Sequence, residues 1–201
     1  MRRRVNAVFH THEAIGRLGA VPLVMNAWYH VGAAAVALEL IENVEDPERR
    51  RALGVLFAAP PDLLDWTAFS IGTRSVISAL DVCAAAVWRL SGGRPLNSGR
   101  ERDLDEAFRM QAQLTSGPLV NWLVLAHDSP EYPTIREFRH GFTHRQVSRH
   151  VQVFLGEDRS EFVSEVGSSR QTAAAHLRMA IPFAVDRFSA FCDAAIEQFK
   201  R

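Results

Sequence analysis

Between Pro60-Pro61 and Gly92-Gly93 the chain contains no proline, and one apolar stripe runs the whole way. Trp66, Thr73, Ile77, Leu80, Ala84, Val87 and Leu90 recur with a period near 3.5, so one face of a long helix is apolar. Asp62-Leu-Leu-Asp65 opens this helix and Gly92-Gly93 stops it. A helix of that length with a single apolar face must bury it against other helices. Ala84, Ala85 and Ala86 leave room for a neighbour to approach closely.

The rest of the chain is punctuated in the same way. Pro22 suits a first helical turn, where its missing amide costs nothing. After it Val24, Trp28, Val31, Ala35 and Leu38 form a stripe that runs to about Asn43. His30 flanks it as a rim histidine. Asp46-Pro47-Glu48 starts a short helix that Pro60-Pro61 ends, with Arg49-Arg50-Arg51 on a solvated face. Ser98-x-x-Glu101 has the capping-box pattern and predicts a helix to about Leu114. Pro118 starts another, to about Ala126. A turn-rich link, His127–Pro133, leads into a helix launched by Pro133. Val151, Val153 and Leu155, then Phe162 and Val163 beyond Gly156, read as a short β-hairpin. Ser168-x-x-Gln171 caps the last helix, whose stripe is Leu177, Ile181, Ala184, Phe188, Phe191, Ala195 and Phe199, with a kink at Pro182. The expected fold is all-α: a single-domain bundle of five to six helices over residues 1–201, with a short β-hairpin near 150–165 and a poorly specified arm over 1–20.

Lys+Arg and Asp+Glu both number 23, so the formal charge is zero. Neutrality gives no global reason for nucleic-acid or membrane binding, and any such partner must meet a local patch. Cys83 and Cys192 each fall in an apolar helical pattern and read as buried free thiols. That points to a reducing cytoplasm. His10, His12, Glu13 and Arg17 interrupt what a signal peptide would need to keep apolar. His10 and His12, two apart, point to different sides of a helix and make no metal site. No unbroken apolar run reaches the length of a membrane span, so no membrane partner is expected.

One stretch concentrates reactive groups. Thr134–Gln146 holds Arg136, Arg139, His140, His144 and Arg145. From 136 to 150, four Arg stand against Glu137, a local charge of +3 in a neutral chain. Three readings follow. In the first, an Arg fork holds phosphate oxygens and a neutral His takes a proton from a ribose 2′-OH, with no metal or other cofactor. Arg139 and His144 are five apart, about 140° round an ideal helix, so a second chain is one way to bring them together. In the second, His140 and His144, four apart on one face, bind a metal with His150 or Asp128. The Arg-rich setting opposes a dication. In the third, the helix is an interaction surface with no chemistry.

Arg139-His-Gly-Phe-Thr-His144 resembles the R-x4-6-H motif of the HEPN superfamily, helical nucleotide-binding domains of prokaryotes and higher eukaryotes. Tyr132-Pro133 leading in, the apolar–Arg alternation of Ile135-Arg-Glu-Phe138 and Arg145 after the final His are similar too. His140 departs from the commoner Asn, and the segment 146–167 is an addition. The resemblance implies a homodimer with the two motifs face to face. It implies a metal-independent endoribonuclease that leaves 2′,3′-cyclic phosphate ends, as toxins or defence effectors do, with an antitoxin or nucleotidyltransferase as partner. Arg139 would position the phosphate, His144 would be the acid/base group, and His140 would orient the site. Arg136, Arg145 and Arg149 would bind the RNA. The family also includes inactive binding modules.

Overall fold

The computed structural model describes residues 21–45, 48, 52, 61–94, 101–143, 149–154, 160–166 and 169–199, with side chains described within 22–43, 48, 52, 67–94, 101–139 and 174–199. The chain is an all-α helical bundle. Among the described residues it has six α-helices: α1 (Val21–Glu45), α2 (Pro61–Leu90), α3 (Leu104–Arg109), α4 (Pro118–His127), α5 (Glu131–Thr143) and α6 (Ala173–Phe199). A short 3₁₀ turn, Gln111–Gln113, follows α3. The N-terminal arm with His10 and His12, most of the helix expected after Asp46, and Ser98 lie outside the described residues.

The expected hairpin is there. Strands β1 (Arg149–Phe154) and β2 (Ser160–Val166) pair antiparallel with Val151 opposite Val163. A third strand, β3 (Ser169–Thr172), pairs with β2, placing Ser164 opposite Gln171. This corrects the expected start of the last helix. Gln171 belongs to a strand ladder, and α6 begins at Ala173.

The chain folds as two compact units: Met1–Val31 with Ser78–Tyr132 and Phe183–Arg201, and Gly32–Ile77 with Pro133–Pro182. The boundaries fall inside α1, α2, α5 and α6. In α6 the boundary follows Pro182, the residue that cannot donate a helical hydrogen bond.

The first unit is built on large aromatics. Trp28 lies 5.9 Å from Phe188, and Trp122 meets Phe191 edge-on at 5.5 Å. The Trp122 indole nitrogen donates to the Arg187 carbonyl at 2.7 Å, so its polar end is satisfied inside the core. From Ala79 to Leu90, α2 is buried nearly all round, the pattern of a central helix rather than of a single stripe. Gly92, at φ +83°, takes the left-handed turn that ends it. The returning chain is tied to α2 by an Arg89–Glu101 ion pair and by Arg102, which pairs with Glu106 and lies 4.4 Å over the Trp88 ring. The predicted capping box is not the start of α3. Asp103 is the N-cap, accepting from the Glu106 amide at 2.8 Å, and Asp81 of α2 accepts from the Leu104 amide at 3.1 Å. Cys83 and Cys192 are free and buried, as the apolar pattern predicts.

The second unit packs Ala37 and Ile41 of α1, Ala68 and Phe69 of α2, Phe138 of α5, and Ala174 and Leu177 of α6 around one core. Gly72 permits it, because a Cβ there would stand 2.7 Å from Leu177 and 3.1 Å from Ala37. The buried ridge of α1 is Val24, Ala27, Val31, Ala34, Ala37 and Ile41. It is rotated from the predicted stripe, and Ala35 is exposed.

Two helical stretches, Pro22–Asn43 and Thr67–Leu90, each have a mean hydropathy of 1.3 and are long and apolar enough to cross a membrane by length and composition. Average hydropathy along a helix reaches that level here without an unbroken apolar run of that length. The second stretch is 72% buried and is the core helix α2. The first is 33% buried and turns Tyr29 and Val36 outward, beside exposed Glu39 and Glu42.

Candidate functional site on helix α5

Helix α5 carries the first ten residues of the charged stretch, from Thr134 to Thr143. It starts two residues before the predicted Pro133. The Ser129 hydroxyl donates to the Leu125 carbonyl at 2.5 Å, and the Tyr132 amide donates to the Ser129 carbonyl at 3.2 Å. Glu131 sits at the positive end of the helix and Pro133 in the first turn, where no amide is required.

Tyr132, Ile135 and Phe138 are buried at successive spacings of three. Arg136 is exposed and Arg139 half-buried. These two arginines are three apart, about 60° round the helix, and so share one face. Each takes part in a further interaction within the chain. The structure therefore brings Arg136 and Arg139 together. His140 is placed on the helix by its backbone, and Arg149 opens β1. The side chains of His140, Arg149 and His150, and the whole of His144 and Arg145, lie outside the described residues. Asp128, a candidate metal ligand by sequence, is engaged by the His127 Nδ1 at 2.9 Å. Among the described residues no group of three His, Cys, Asp or Glu is placed to hold a metal ion.

Two features escape sequence reading. In the first unit His127 stacks flat on Phe108, with ring centroids 3.6 Å apart. Its Nε2 faces Asp105 Oδ1 at 3.5 Å, and the Tyr132 hydroxyl donates to the same oxygen at 3.1 Å. This network joins α3 and α4 to the start of α5. In the second unit His176 is fully buried, and neither ring nitrogen has a hydrogen-bond partner among the described residues. Its ring lies 4.2 Å from Phe138 and meets Phe69 edge-on at 5.5 Å. Burial lowers its pKa from 6.5 to about 4, so the ring is neutral at pH 7. The signal was its position, four residues before Ala180 on the buried side of α6.

No family model, curated protein or solved structure matches this chain.

Proposed function

We propose that the chain is a metal-independent endoribonuclease of HEPN type, working as a homodimer through Arg139 and His144. The observation that supports this most is the construction of α5. Ile135 and Phe138 anchor it in a core while Arg136 and Arg139 share its outer side, in a protein of zero net charge. A cationic face held on a fixed helix suits a phosphodiester. In the proposed reaction His144 takes the proton of a ribose 2′-OH. The 2′-oxygen attacks the adjacent phosphorus, the 5′-oxygen leaves with a proton, and a 2′,3′-cyclic phosphate remains. Arg139 compensates the charge that builds on the phosphoryl oxygens. His140 orients the site, Arg136, Arg145 and Arg149 bind the RNA backbone, and a second copy supplies the His or Arg that a spacing of five residues would put about 140° away on an ideal helix.

The test is incubation of the purified protein with RNA in EDTA, reading cleavage and the chemistry of the new ends. We expect cyclic phosphate ends, and a loss of about 10²-fold or more for His144→Ala and for Arg139→Ala. Cleavage unchanged in both variants defeats the proposal. A non-catalytic interaction module of the same architecture is the second reading. The intramolecular engagement of both Arg136 and Arg139 favours it, and absence of cleavage by the native protein would select it.

A further inference from the structure

A buried polar ring with no partner is a cost that a fold keeps only against compensation. His176 is such a ring, and two neighbours from separate helices close on it. Phe138 of α5 lies against it at 4.2 Å with the planes 35° apart, and Phe69 of α2 meets it at 88°. Phe69 and Phe138 also touch each other edge-on, at 6.0 Å. The three rings form one aromatic cluster. Within this unit, Phe138 and Ile135 are the only fully buried apolar side chains of α5 among the described residues. Phe138, one of the buried side chains that seat that helix, therefore lies directly against His176.

We propose that His176 is a proton-operated latch for helix α5: the neutral imidazole closes the Phe69–His176–Phe138 cluster, and the imidazolium leaves it for water and frees the helix. A cation in that slot would have two aromatic rings beside it but, among the described residues, no hydrogen-bond acceptor and no counter-charge. Among the described residues, the charged side chains on the packed elements of this unit are Glu39 and Glu42 on α1, Arg74 on α2, Arg136, Glu137 and Arg139 on α5, and Arg178 on α6. Glu39, Glu42, Arg74, Arg136 and Arg178 are exposed, and Arg178 is held at 3.0 Å by Glu42. None of these groups contributes to the lowered proton affinity of the ring, which comes from burial alone. Phe138 ties α5 to this core, so loosening the cluster opens that helix locally before the rest of the chain unfolds. The latch is independent of any ribonuclease activity, since what it governs is the seating of α5.

Amide hydrogen exchange on the full chain tests this. An exposed imidazole titrates near 6.5 and the closed one near 4. Linkage then makes the open form of α5 about thirtyfold more populated at about pH 5 than at about pH 7.5. Amides of residues 135–143 should exchange faster by that factor, after correction for intrinsic rates, while those of α4 change less than about threefold. In His176→Phe and His176→Leu the acceleration should vanish. The proposal is overturned if a folded variant keeps the acceleration, or if α4 accelerates as much as α5. Should neither variant fold, the native ring itself decides by NMR. Its Hε1 resonance should hold the neutral position down to about pH 5, and an ordinary midpoint near 6.5 with α5 protection unchanged overturns the latch.

Discussion

His176 makes the whole protein, and not only α5, sensitive to acid. Its folded pKa of about 4 lies below the 6.5 of the unfolded chain, because burial penalises the cation. Above 6.5 both states are neutral and the ring contributes no pH dependence. As pH falls through 6.5 the unfolded chain takes up the proton first, and stability declines until the folded ring also protonates near 4. The full decline is roughly 3 kcal/mol, a large part of the 5–15 kcal/mol that holds a typical domain. Urea midpoints measured from about pH 7 to about pH 4.5 should fall for the native chain and fall less steeply for His176→Leu. Carboxylates act in both proteins, so the difference between the two curves is the quantity to read. Parallel curves would mean that the ring titrates alike in both states. The thiols make a second case. Burial, with the neighbouring Cys192 adding to it, pushes the Cys83 thiol well above its ordinary range, and thiolate is the reactive form. Under native conditions both thiols should resist a disulfide reagent such as DTNB and react only as fast as the chain opens. Immediate reaction of two equivalents would contradict the buried placement.

At the level of elements, the short helix α3 depends on its ends. Its six residues are too few for helix propensity to hold them. Instead two carboxylates from different places, Asp103 and Asp81, accept from its first amides. Asp103→Ala should lower stability by about 1 kcal/mol, seen as a shift of the urea midpoint at unchanged slope. No change would show that Asp81 alone suffices. The same helix shows where sequence reading loses its grip. Ser98-x-x-Glu101 offers the right spacing, yet Glu101 is drawn to Arg89 and the cap passes to Asp103. Asp103, which caps the helix, stands only two residues beyond the Glu101 of the predicted box. On α1 the predicted stripe included Trp28 and Leu38 by their spacing, whereas the structure buries the small Ala27, Ala34 and Ala37 and leaves those two half-exposed. Close approach at Gly72 leaves room only for a small residue at Ala37, and hydrophobicity alone does not register that. Strand β3, Ser-Arg-Gln-Thr, has no apolar alternation, so only its pairing with β2 reveals it. The long helices were legible because their apolar periods run for many turns between prolines and glycines. Of the candidate site, the concentration of basic groups on Thr134–Gln146 was legible in the sequence, but the pairing of Arg136 with Arg139 on one face was not read there, and the aromatic cluster could not be, since it joins residues 69, 138 and 176.

For the molecule as a whole, charge decides what RNA binding should look like. With 23 basic and 23 acidic residues there is no long-range pull toward a polyanion. On the proposed reading attraction comes from the few arginines between 136 and 149, and at ordinary salt it fades beyond about 8 Å. Binding should therefore engage a small, countable number of phosphates. If Arg136, Arg139, Arg145 and Arg149 each neutralise one phosphate, four counterions are released, and the logarithm of affinity for single-stranded RNA should fall with the logarithm of salt at a slope of about −3. Removing one arginine, as in Arg136→Ala, should reduce that slope by about 0.7 and weaken binding to all sequences alike. A slope near zero would exclude the patch as a phosphate cradle and leave α5 as a protein-facing helix. A slope near twice the expected value is the result to look for if both subunits of a dimer hold one strand, because a two-fold arrangement doubles the phosphates met without altering either patch. Fluorescence anisotropy on a short RNA at several salt concentrations, done with His144→Ala so that nothing is cleaved, separates these three outcomes.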